Sequence, residues 1–172
     1  MRPWRRAVAA VATAAAAALP SVAATACTLV LADHRSAQVL REVPLDPSAP
    51  GLRVAFTHSV LGTPVEDRYV FRRVAGGWQA VLVEERWLGE GYGLPIAAGP
   101  GEQLVRDDSL GPGGWRLTLQ RPVHPLVVLA LPSQHMRVIV DGQAPILLGT
   151  LGPPAPTSVA MHVDGCPAPG GS

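Results

Sequence analysis

Arg68-Tyr69-Val70-Phe71-Arg72-Arg73-Val74, Ala75-Gly76-Gly77 and Trp78-Gln79-Ala80-Val81-Leu82-Val83-Glu84-Glu85-Arg86-Trp87 follow one another without interruption. The outer segments are rich in aromatic and β-branched residues, and the paired glycines supply the positive backbone angles that a tight reversal needs. This predicts a β-hairpin at the centre of a sheet. In the second strand Trp78, Ala80 and Leu82 alternate with Gln79, Val81 and Val83, so both faces are mainly apolar and a strand covered on both sides is expected. After Val83 come Glu84, Glu85 and Arg86, which predict that the strand leaves the core towards a rim.

Outward from this hairpin, short runs of Val, Leu, Ile and aromatics recur between turn residues, and no sustained 3.6-residue apolar period interrupts them. Expected strands are Thr28 to Ala32, Gln38 to Val43, Leu52 to Thr57, Trp115 to Gln120, Leu126 to Leu131, Met136 to Val140 and Ile146 to Gly149. Asp33 to Ser36 should form the first turn, and Asp141-Gly142 signals a hairpin near the end. The fold class is all-β, an antiparallel sandwich or small barrel of about nine or ten short strands. Residues 27–151 are enough for a single domain with one core. From Gly152 onward Pro and Gly dominate, and residues 152–172 are expected to be a disordered tail with a local contact at Val159 to Val163.

The first 26 residues have the layout of an export signal: Arg2, Arg5 and Arg6, an apolar run from Ala7 to Leu19, then small residues. The run is too short to cross a bilayer core, which takes about 20 residues. Cleavage is expected after Ala23 or Ala26, with no transmembrane helix in the mature chain. The second site would leave Cys27 first. Two fates stay open for it: lipidation, which would anchor the protein, or a disulfide with Cys166, the one other cysteine. Either way the location is extracytoplasmic, periplasmic or secreted. Every basic residue is arginine, and removing the leader leaves 11 of them against 13 acids. Nucleic acid is therefore not an expected partner.

Chemistry-bearing residues gather in two segments. Thr57 to Glu66 contains His58, Ser59, Thr63 and Glu66 at a strand end, and Glu84 to Pro95 contains Glu85 and, in a glycine-rich loop, Tyr92 and Gly93. A loop as long as Gly89 to Gly101 is usually functional or mobile. Neighbouring side chains on a strand face opposite ways, so His58 is poorly placed to activate Ser59, and no Gly-x-Ser-x-Gly elbow surrounds the serine. No catalytic residue is assigned, and turn capping by His58 and Ser59 is the simpler expectation. The five histidines show no metal-ligand spacing, so neither a metal nor a cofactor is expected. A binding site would bring His58 within about 10 Å of Tyr92; otherwise Tyr92 plugs the end of the domain.

His58-Ser59-Val60, Thr63-Pro64-Val65-Glu66 and Gly91-Tyr92-Gly93-Leu94-Pro95 resemble, in order and spacing, the paired signatures of the domain-of-unknown-function 1850 family. The resemblance extends from Cys27 to Leu148. It implies a short exported β-rich protein with a role near solute uptake, since members are commonly encoded beside TRAP transporters with TAXI-class binding proteins. Members also carry a cysteine hairpin near the end; this chain has Val140-Asp141-Gly142-Gln143-Ala144 there, without one. The expected function is an extracytoplasmic binding or accessory module, its partner a TRAP/TAXI-type component or a small solute. An envelope structural protein without ligand, or a hydrolase-like enzyme using His58 and a carboxylate, are the alternatives.

Overall fold

The structure is a computed structural model that describes residues 27–152 and 157–166. The expected export signal lies outside the described residues. Eleven strands form two antiparallel sheets among them: a small sheet of four and a large sheet of seven.

The small sheet contains β1 (Thr28–Asp33), β2 (Val39–Pro44), β8 (Leu126–Ala130) and β11 (Thr157–Asp164), in the order β2-β1-β11-β8. The large sheet contains β3 (Gly51–Thr57), β4 (Pro64–Val74), β5 (Gly77–Leu88), β6 (Gln103–Arg106), β7 (Gly114–Val123), β9 (Arg137–Ile139) and β10 (Ile146–Leu147). Its order is β10-β9-β3-β4-β5-β7-β6, which puts the β4–β5 hairpin at its centre. Neither sheet closes on itself, so the architecture is a sandwich rather than a barrel. Leu29 and Leu31 of β1 and Val159 and Met161 of β11 join Val54, Tyr69, Leu82, Trp87 and Leu117 of the large sheet in one core.

Two strands exceed the sequence expectation. β6 is a short edge strand just after the glycine-rich loop. β11 falls in the stretch expected to be disordered, and it is an interior strand: Val30 pairs with His162 on one side and Val159 with Val128 on the other. Thr157, Val159, Met161 and Val163 are buried while the residues between them are not. That two-residue alternation drives strand formation despite the surrounding prolines and glycines.

Cys27 precedes β1, Cys166 follows β11, and a disulfide joins them. A sulfur held in that bond cannot carry a thioether-linked lipid, so anchoring through Cys27 is set aside. The bridge closes a sequence separation of 139 residues. In the chain-entropy account a loop of that size destabilises the unfolded state by about 5 kcal/mol.

The rim expected after Val83 is not there. Against β4 the register skips Val83, an extra residue in a β-bulge, and the register against β7 shifts at the same point, with the extra residue on β7. Before it, Ala80 and Leu82 face the core; after it, the odd-numbered residues do, and Trp87 is 1% exposed. The charged run therefore does not leave the core: it is split between the two faces.

The Cys27→Ser/Cys166→Ser double variant should lose roughly 2–5 kcal/mol in urea denaturation. Hydrogen exchange should accelerate first in β11. An unchanged midpoint would remove the bridge from the account of stability.

Candidate functional site

The segment from Thr57 to Glu66 is the β3–β4 reversal. His58 N–H donates to the Thr63 carbonyl at 2.8 Å, and Gly62 N–H donates back to the His58 carbonyl at 2.9 Å. Gly62 has φ 67°, a left-handed angle that favours glycine. The His58 Nδ1 accepts from the amides of Val60 and Leu61, each at 3.2 Å. Its imidazole is thus an internal cap, satisfying turn amides that have no strand partner. Among the described residues Ser59 makes no side-chain hydrogen bond, and it is exposed.

The other segment meets this turn directly. Thr63 Oγ1 donates to the Leu88 carbonyl at 2.6 Å. Gly89, at φ 101°, lies where a Cβ would come within 3.2 Å of Leu61 Cδ1, so absence of a side chain permits the approach. Beyond it Gly91, Tyr92 and Gly93 all take positive φ, and Leu94 N–H closes the turn on the Gly91 carbonyl at 3.1 Å. Leu94, not Tyr92, packs against the core; Tyr92 is 69% exposed and plugs nothing.

The two glutamates of the expected site are on opposite faces of the sheet. Glu66 lies opposite Ala55 and Arg86 on the outer face and pairs with Arg53 at 3.4 Å. Glu85, re-aimed by the bulge, lies opposite Asp67 and Leu117 on the inner face. Neither forms an ion pair or hydrogen bond with His58 among the described residues, so an acid–base pair built on that imidazole has no geometry behind it. The sequence-predicted residues share one end of the sandwich through Thr63, but they do not converge on one cavity.

The sequence reading missed Asp67 and Tyr69. A row across the inner face runs Val138, Val54, Asp67, Glu85, Leu117 and Leu104, placing two carboxyl groups side by side between apolar neighbours. Burial, then the Glu85 charge, pushes the Asp67 pKa up to about 7, against a smaller lowering by the Tyr69 hydroxyl. Burial also raises Glu85, opposed by Arg121, which itself pairs with Glu102 at 2.8 Å. The Glu85 Oε2 is buried with no hydrogen-bond partner among the described residues. Burial and the neighbouring carboxylates push Tyr69 up as well. The signal was present: Asp67 has the parity of Val65, Tyr69 and Phe71, an acid at a core position of a strand.

A family model for the domain of unknown function DUF1850 matches residues 52–146, more than half of the chain. The protein belongs to the DUF1850 family. Neither the curated proteins nor the solved structures give a significant match to it. The matched part of this DUF1850 protein runs from β3 to the first residue of β10, and so contains the His58 turn, the Tyr92 loop and the Asp67–Glu85 pair.

Asp67 holds its proton more tightly when folded than when unfolded, so stability should fall as pH rises from about 4 to about 7 and stay lower above. A shift of that size corresponds to ~4 kcal/mol at most. Asp67→Asn should make this decline shallower, Glu85 supplying the remainder, and should raise the urea midpoint at pH 8. An unaltered slope would show that the pair does not govern it.

Proposed function

We propose that the protein is an extracytoplasmic accessory module of TRAP/TAXI-type solute uptake, and that it docks on a protein component of that system. Its docking end is built from the His58–Thr63 turn and the Gly89–Gly101 loop. One observation carries this reading: two segments tied by the Thr63–Leu88 hydrogen bond hold large apolar side chains out in solvent. Val60 is 62%, Tyr92 69% and Ile96 84% exposed.

Exposed apolar groups are ordinary singly, but several on neighbouring loops are typical of a protein interface, where tyrosine is a frequent anchor. The loop invests in this presentation. Consecutive positive φ angles at Gly91, Tyr92 and Gly93 turn Tyr92 outward while Leu94 fixes the base. Export is supported by the leader pattern and by the disulfide, which suits an oxidising compartment. Association with solute uptake rests on the family resemblance. No described helix is long and apolar enough to cross a membrane.

Co-purification tests the reading. The tagged protein should retain the TAXI-class binding protein or a membrane subunit in mild detergent, and Tyr92→Ala/Ile96→Ser should lose that retention while keeping its circular dichroism spectrum. Failure of the wild-type chain to retain either component, or equal retention by the variant, would sink it.

A further inference from the structure

A second surface lies at the far end of β3 from the His58 turn. A cleft of about 390 Å³ opens there on the outer face of the large sheet. Its base is Gly51, with Val70 and Ile139 beside it and the Asp46–Pro50 loop as one wall. Gly51 is required where it stands, since a Cβ would come within 2.9 Å of the Tyr69 carbonyl oxygen. Gly51 therefore puts no side chain on the face opposite Val70.

Three arginines are among the residues lining this cleft: Arg53, Arg68 and Arg72. Arg53 and Arg68 are direct cross-strand partners. Like charges so placed destabilise a sheet unless counter-charges absorb them, and here they are absorbed unevenly. Arg53 reaches Glu66 at 3.4 Å and Asp141 at 3.2 Å. The Arg72 guanidinium is turned away from Gly51 towards β7, where it donates to the Gln120 Oε1 at 2.6 Å. Arg68 has no ion pair or hydrogen bond among the described residues. Its other cross-strand neighbour, Glu84, is taken by Arg86 at 3.0 Å and Arg116 at 3.8 Å. Asp46, on the cleft wall, accepts from the Ser48 amide and hydroxyl at 2.8 and 2.7 Å rather than from an arginine.

We propose that this cleft binds a small organic carboxylate. Arg68 is the clamp, and the apolar body of the ligand lies over Gly51 against Val70 and Ile139. Guanidinium groups favour carboxylates because their donors match both oxygens in one plane. The volume suits a compact acid, and the apolar base distinguishes such a ligand from a bare oxyanion. Nothing in this depends on the docking end, so either proposal can fail alone.

Isothermal titration of the purified protein at 150 mM salt, with glutarate, its diamide glutaramide and inorganic phosphate as probes, tests the site. Glutarate should bind saturably and raise the melting temperature, whereas glutaramide should not. Arg68→Gln should weaken glutarate binding roughly tenfold or more. Arg137→Gln, an outer-face substitution outside the cleft lining, should leave it unchanged. Absence of saturable glutarate binding would overturn the proposal. So would phosphate binding as tightly as glutarate, or a loss in Arg137→Gln equal to that in Arg68→Gln, which would mark general attraction to a basic face.

Discussion

The pairing of β11 between β1 and β8 is the interaction on which the rest of this fold depends. Remove it and β8 loses its neighbour in the small sheet, while β1 and β2 remain as an isolated hairpin, marginal by itself. The inner face of the large sheet, including Leu82 and Trp87, would then face water. Because β1 is the first described strand and β11 the last, the contact joins residues far apart in sequence, and its closure entropy is correspondingly large. The Cys27–Cys166 bond lies at the end of that pairing, one residue before Thr28 and two after Asp164, which are themselves partners. The covalent link and the register thus reinforce the same closure.

The second organising feature is the bulge at Val83. A sheet has period two, so one extra residue exchanges the faces for everything beyond it. Here that exchange buries Trp87, leaves Glu84 and Arg86 outside among ion pairs, and turns Glu85 inward beside Asp67. Both carboxyl residues are on the inner face of the large sheet and partly buried there. Two ionised carboxylates so close and so dry would repel strongly; the system relieves this by keeping a proton on Asp67 up to near-neutral pH.

Local chemistry wrote the parts of this structure that were legible in advance. The β4–β5 reversal and the Asp33 turn are decided within a few residues: the hairpin forms as expected, Gly77 alone of the paired glycines taking a positive φ, and Asp33 caps its turn. β11 carried the same alternation, but its flanking prolines and glycines suggested disorder; what overrides them is long-range pairing with β1, which no local pattern reports. The bulge was equally hidden, since Val83-Glu84-Glu85 fits a strand leaving the core as well as a strand changing parity. Of the candidate site, the meeting of the His58 and Gly89 segments was foreseeable and the separation of Glu66 from Glu85 was not, because their faces depend on that one extra residue. The arginine cleft requires knowing that Arg53 and Arg68 are partners across two strands, a matter of register alone.

In a sandwich the inner face of each strand is committed to the core, so recognition has only the outer faces and the ends to use. This chain divides those resources along β3. At one end a turn internally capped by His58 and a loop anchored through Leu94 hold apolar side chains in water; at the other, a cleft beside Gly51 has arginines in its lining. Both draw on the large sheet, the cleft reaching Ile139 of β9 and Asp141 beyond it, while the disulfide and β11 belong to the small sheet that closes over its other face. Changes at either surface of the large sheet therefore need not disturb the closure that holds the domain together.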